Sequence, residues 1–239
     1  MATIKPRTLL LLCGSLMLFC GSAVAQSSIV NAPSTGVLAP KKLYVEMDFI
    51  TNYAWQRDGA KFQNYLPRAV VGIGRNVEVG ANVSYTRVSG GGAPVEIQPN
   101  AKWQFYSNEE KGLAASAGCI WFVPLTHRSG TDTFGQCYSV ASKKFQGNYG
   151  PSFTGGAYRL IGAGKDRGTK TGAIVAWEQP LSKKVGFIVD WQSGYNRLGY
   201  LSPALNVTLP RNGSLSGGYA IANKGHQNNA LFLYYGQQF

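Results

Sequence analysis

The chain has 239 residues, 44% of them hydrophobic and 14% charged, with 23 Lys and Arg against 11 Asp and Glu. Past residue 25 no segment supplies the roughly 18 consecutive apolar residues of a spanning helix. Membrane insertion would therefore require a closed barrel, the other fold that pairs every backbone group in hydrocarbon. The basic residues are scattered in ones and twos, without a basic helix or recognition motif, which argues against a nucleic-acid partner. Anionic lipid head groups, or a pore favouring anions, account for the excess more simply.

At the N-terminus, Lys5 and Arg7 precede an apolar run from Leu9 to Phe19, then Ala23 and Ala25 in the A-x-A spacing of a secretory cleavage site. Residues 1–25 read as a signal peptide cut after Ala25. A retained anchor is the plain alternative, and Phe19 is too bulky for lipoprotein processing at Cys20. The cut removes two basic residues and no acids, leaving 23 − 2 = 21 bases against 11 acids, a net charge near +10. It also removes Cys13 and Cys20. Cys119 and Cys137 remain in an oxidising compartment, where a disulfide and a pair of buried free thiols are both open readings. Residues 26–40, rich in Ser, Pro, Gly and Asn, read as a flexible periplasmic lead-in.

From Lys41 onward a two-residue alternation dominates. In the run from Val95 to Phe105 the odd positions are apolar or Pro and the even ones are Glu96, Gln98, Asn100, Lys102 and Gln104. Segments of about ten residues recur, the length of a tilted transmembrane strand. They fall at 42–54, 61–74, 77–87, 95–106, 112–124, 133–144, 152–162, 169–179, 185–194, 199–209, 214–223 and 229–239. The connections alternate between short turns (Arg75-Asn76, Arg211-Asn212-Gly213) and longer or glycine-rich loops (Val88 to Pro94, Ser193 to Leu198), as expected of periplasmic turns and external loops. Pro67, Pro99 and Pro203 each stand nine residues before an Asn in or beside a short turn. This weak repeat places the prolines at the outer ends of descending strands. The expected fold is all-β: a closed antiparallel transmembrane barrel of about twelve strands over 41–239, with up-and-down topology.

The final segment, Ala230 to Phe239, stops on an aromatic residue, with Leu231, Leu233, Tyr235 and Phe239 on one face. It resembles the C-terminal signature of outer-membrane barrels, which implies that Tyr235 and Phe239 are read by the barrel-assembly machinery. Longer stretches, Leu66-Pro67-Arg68-Ala69-Val70-Val71-Gly72-Ile73-Gly74-Arg75-Asn76, Trp177-Glu178-Gln179-Pro180-Leu181-Ser182-Lys183-Lys184 and Asp190-Trp191-Gln192-Ser193-Gly194, resemble the outer-membrane transporter-like proteins associated with the phenol meta-degradation pathway. That resemblance implies a barrel and a transport role and supplies no catalytic residues.

With apolar residues facing lipid, strand parity is taken to put Glu46, Asp48, Arg68, Glu96, Lys102, Arg159 and Asp190 along the pore, with Glu78, Lys170 and Glu178 beside them. Arg68, Lys102 and Arg159 are the expected selectivity charges, and Glu46, Asp48 and Asp190 their counter-charges. Recurrent aromatics, from Tyr44 to Tyr235 and including Tyr200, suggest girdles at the two interfaces, with an inward ligand-lining role for some, such as Tyr44. Enzymatic chemistry is sparse. His127 and Ser129 form a His-x-Ser pair of acyl-hydrolase type, placed at a loop tip where a solvated histidine is the simpler reading. The glycines before Lys165 lack phosphate-loop spacing, and two dispersed histidines do not suggest a metal site. The expected protein is a non-enzymatic outer-membrane channel without cofactor, passing small solutes, anionic or aromatic ones among them, with lipid as its surroundings. A non-conducting structural or adhesion barrel is the alternative.

Overall fold

The computed structural model describes residues 28–53, 61–126, 132–164 and 168–239. The expected signal peptide and its cut lie outside these residues, as do His127, Ser129 and Lys165. Twelve strands form one closed barrel: β1 (Leu43–Thr51), β2 (Phe62–Gly74), β3 (Val77–Val88), β4 (Val95–Asn108), β5 (Leu113–Pro124), β6 (Phe134–Lys144), β7 (Ser152–Ile161), β8 (Thr171–Pro180), β9 (Val185–Gln192), β10 (Tyr200–Leu209), β11 (Gly213–Ala222) and β12 (Ala230–Gln238). Each strand pairs antiparallel with its chain neighbours, and β1 closes on β12. Closure removes the sheet edges and satisfies the backbone within the wall.

One parity rule organises the lumen. Directly paired residues lie on the same face of a sheet. Around the barrel the registers pair even numbers with even, from Glu46 with Arg68 and Glu78 with Lys102 to Asp190 with Ser202. The two local shifts, at Gly72/Gly74 and Gln104/Tyr106, fall towards strand ends. Even residues therefore face inward: Tyr44, Glu46 and Asp48 are buried while Leu43, Val45 and Met47 are exposed.

The turns explain part of the sequence repeat. Arg75 and Asn76 have φ of 52° and 58°, and Arg211 and Asn212 have 59° and 60°. Two consecutive left-handed residues make the tight hairpin turn whose twist matches the strands it joins, and Asn tolerates that conformation well. The prolines lie inside their strands rather than at the outer ends. The ladder to the following strand lapses beside each: between Tyr65 and Arg68, between Ile97 and Asn100, and between Leu201 and Ala204. A residue without an N–H interrupts that side of the ladder wherever it sits, so the gap moves with the proline.

Side-chain size is matched across strands. A Cβ at Gly236 would lie 2.0 Å from the Tyr44 hydroxyl, so the glycine makes room for the ring on the neighbouring strand. Gly118 does the same for Tyr138. The Tyr44 hydroxyl then donates to Glu46 at 2.5 Å. Tyr44 and Tyr200 both sit on the lumenal face and so leave the expected girdle. On the outer wall Phe49, Tyr65 and Tyr85 form one aromatic row, and Phe145, Phe153, Trp177 and Phe187 another. The C-terminal Phe239 exchanges both backbone hydrogen bonds with Leu43, sealing the β1–β12 seam.

Cys119 and Cys137 stand opposite each other on β5 and β6 and are joined in a disulfide, with a Cα–Cα distance of 4.1 Å. Being odd-numbered, the pair lies on the outer wall.

The largest departure from the sequence expectation is the segment before β1. Residues 28–40 do not form a free lead-in. They run through the barrel, with Ile29, Val30, Ala32 and Leu38 nearly inaccessible. Ile29 and Val30 pack with Ile188, Phe232 and Tyr234, Ala32 with Val140 and Ile174, and Leu38 with Tyr44 and Val70. Its prolines, serines and asparagines fit because irregular backbone inside a barrel needs side chains that bond locally and partners on the wall.

Candidate functional site

The lumen has two parts. Residues 28–40 rise into the lumen from the end with the short turns and are held by charged side chains on the wall. Asp190 on β9 accepts hydrogen bonds from three successive backbone N–H groups, those of Val30, Asn31 and Ala32, at 2.9, 2.7 and 2.7 Å. Such a fan of donors compensates a buried carboxylate without a cation. Gln192 on the same strand donates to the Asn31 carbonyl, and Tyr234 to the Asn31 side chain. Farther along, Glu78 accepts from the Leu38 N–H at 2.9 Å, and Lys102 donates to Ser34 at 3.2 Å.

The same wall residues pair with one another. Arg68 bridges β1 and β2, its Nη2 2.6 Å from Asp48 and its Nε 3.1 Å from Glu46, while Nη1 donates to Ser28. Lys102 lies 3.0 Å from Glu78. Buried charges are tolerable when paired and hydrogen-bonded like this. Arg68 and Lys102 sit on the inner face, each matched by acids and tied to the segment 28–40.

Arg159 is the correction among the expected pore residues. Its neighbours Tyr158 and Leu160 are buried inside, so Arg159 faces outward, beside Cys137 and near the loop end of β7. The inference from apolar residues fails on this strand because both faces carry apolar side chains, with Phe153 and Ile161 outside and Tyr158 and Leu160 inside. An arginine near a strand end can place its guanidinium at the head-group level. Lys170 likewise precedes β8 and is exposed.

Towards the end with the longer loops the lumen is hollow. A cavity of about 400 Å³ reaches from Ser28, Val30 and Asn31 to residues near the loop ends of the strands. Amides line one part of it, from Asn64, Asn82, Gln98, Gln136 and Gln192, and apolar groups such as Phe62, Leu66, Ile120 and Leu198 another. Its polar groups are partly satisfied by each other: Asn82 donates to Gln98, and Gln136 to Gln192.

Over this cavity stands Glu96, the remaining expected pore acid, and its partner is Arg197, which the sequence reading missed. The Arg197 guanidinium makes two bonds to the Glu96 carboxylate, at 2.8 and 3.0 Å. Its central carbon lies over the Phe122 ring, 4.7 Å from the ring centre, and Phe122 stacks on Phe134. Arg197 belongs to the connection between β9 and β10, where strand parity says nothing about direction. A basic residue amid Asn and Gly was the sole visible signal. Among the described residues no cluster of three or more His, Cys, Asp or Glu could hold a metal ion.

The closed barrel is similar in fold to the crystal structure of an outer membrane channel from Pseudomonas putida F1, with a TM-score of 0.59. The two are 12% identical, over 86% of this chain and 98% of that one. No family model matches the chain. No curated protein matches it either. The structural neighbour is a channel rather than an enzyme, and at this identity it establishes the shared barrel architecture.

Proposed function

We propose that the chain is a passive outer-membrane channel for small solutes, entered from the loop side and constricted on the turn side by residues 28–40. The observation that carries this reading is the amide-lined hollow inside a closed barrel whose outer wall is apolar. An aqueous lumen wants polar, hydrogen-bonding walls, and a lipid-facing wall wants the reverse. Location in a bacterial outer membrane fits the aromatic rows, and delivery there fits removal of a signal peptide after Ala25. Tyr235 and Phe239, on the closing strand, would be the residues offered to the assembly machinery. Anionic and aromatic solutes are the proposed cargo, and no cofactor is involved.

The second reading, a non-conducting structural barrel, is favoured by one specific feature. The N-terminal segment is clamped by Asp190, Glu78, Arg68 and Lys102, which would make it a permanent plug. Solute flux separates the two. Liposomes carrying the refolded protein should swell in isotonic small sugars or amino acids if the channel reading holds. Failure to swell, with a folded barrel verified by circular dichroism, favours the plug.

A further inference from the structure

The pair formed by Arg197 and Glu96 spans the barrel mouth. Arg197 leads into β10, and β10 is six strand steps from β4, which carries Glu96, whichever way the wall is followed. In a twelve-strand ring that is the opposite side. The connection bearing Arg197 is fastened from behind. Asn196 donates to the Tyr158 hydroxyl and the Thr169 carbonyl, and Asn223 to the carbonyls of Gln192 and Gly194. Tyr195 is held by its own N–H on Thr169. The guanidinium is thus presented from an anchored loop, over the Phe122 ring, with two of its N–H groups directed across the mouth to Glu96.

We propose that Arg197 is the recognition site for a small organic carboxylate, and that Glu96 is its internal stand-in. The proposal deepens the channel reading by naming the solute class at its mouth. A guanidinium fork matches a carboxylate in geometry as well as charge, and the site already holds one in that arrangement. Glu96 is a replaceable occupant. It keeps a second partner when displaced, the Gln98 side chain donating to it at 2.7 Å, and it lies where water reaches the pair, with the Arg197 side chain 42% exposed. The incoming acid's hydrocarbon part has a place to go, since Phe62, Leu66, Ile120 and Leu198 line the hollow beneath. Exchange of one carboxylate for another opens the salt bridge across the mouth without leaving the arginine unpaired, so recognition and opening are one event.

The test measures binding, not conduction, and so stands apart from the channel reading. Titration calorimetry on the detergent-solubilised full chain compares hexanoate, hexanamide and hexylammonium for the wild type, Glu96→Gln and Arg197→Gln. Hexanoate should bind the wild type, and should bind Glu96→Gln about tenfold more tightly because the internal competitor is gone. Hexanamide should bind at least about tenfold more weakly to both, and Arg197→Gln should lose the preference for the acid. Equal binding of acid and amide, no binding of hexanoate by Glu96→Gln, or a preference for hexylammonium would overturn the proposal. The comparison on Glu96→Gln decides the matter even if the Arg197 variant fails to fold. Carboxylate binding in a barrel that passes no solute would leave this site standing and remove the channel.

Discussion

The backbone N–H of Ala32 donates to the carboxylate of Asp190 at 2.7 Å, across 158 residues of sequence. With Val30 and Asn31 adding two further donors, this one side chain fixes the N-terminal segment against the wall of β9. Replacing Asp190 with Ala leaves three inward N–H groups without that acceptor. The expected cost to local anchoring is about 2–4 kcal/mol, since hydrogen bonds to charged groups are the stronger kind and unmade ones are penalised. Hydrogen exchange checks it. Amides of residues 30–32 should exchange at least about 30-fold faster in D190A while the strand amides stay protected. Unchanged protection would mean that the segment is held by its apolar contacts alone.

The Lys102–Glu78 pair should behave as a unit. K102M removes the cation and leaves Glu78 in the lumen without it, an expected destabilisation of about 3–5 kcal/mol by urea unfolding in lipid vesicles. The double variant K102M/E78Q should recover a large part of that loss, because the uncompensated charge goes with it. Additive losses would show that the two side chains act separately.

Gly236 is required by its neighbour rather than by its own backbone. G236A pushes a methyl group into the Tyr44 ring, displacing the hydroxyl that donates to Glu46. A loss of about 1–3 kcal/mol is expected from such overpacking. G236A/Y44F should remain destabilised, since the ring itself also lies close, whereas G236A/Y44A should regain stability relative to G236A. Unfolding midpoints of the three variants are the readout.

Arg159 and the disulfide share the outer wall, and both can be tested there. R159Q should leave the reversal potential in a salt gradient unchanged, because its side chain is outside the lumen. A shifted potential would put it back in the pore. Breaking the Cys119–Cys137 link, 18 residues apart, with Ser at both positions should cost about 3 kcal/mol by the chain-entropy relation. The wild type under reductant should reproduce that loss.

The wall was readable from sequence because a barrel strand imposes a period of two over ten residues, and the sequence obeys it. The run from Val95 to Phe105 assigns its own faces. For Cys119 and Cys137 the sequence left a disulfide and two free thiols both open, and it is the β5–β6 register that sets them opposite each other. What alternation cannot reach is anything off the wall. Residues 28–40 carry the composition of a loop, and composition does not distinguish a loop in solvent from a chain bonded to Asp190 and Glu78. Arg197 was invisible for the same reason, its direction being set by Asn196 and Asn223 rather than by a strand. Arg159 failed differently: near a rim, polarity no longer reports which side of the wall a residue faces.

The channel and its constriction meet in one comparison, single-channel conductance in planar bilayers of the mature chain and of a variant lacking residues 28–38. Discrete conductance in the mature chain, rising severalfold when the segment is gone, is the expected result, because the deletion empties the half of the lumen that Asp190, Glu78 and Arg68 hold filled. A folded barrel that stays silent with and without those residues would contradict the proposed channel.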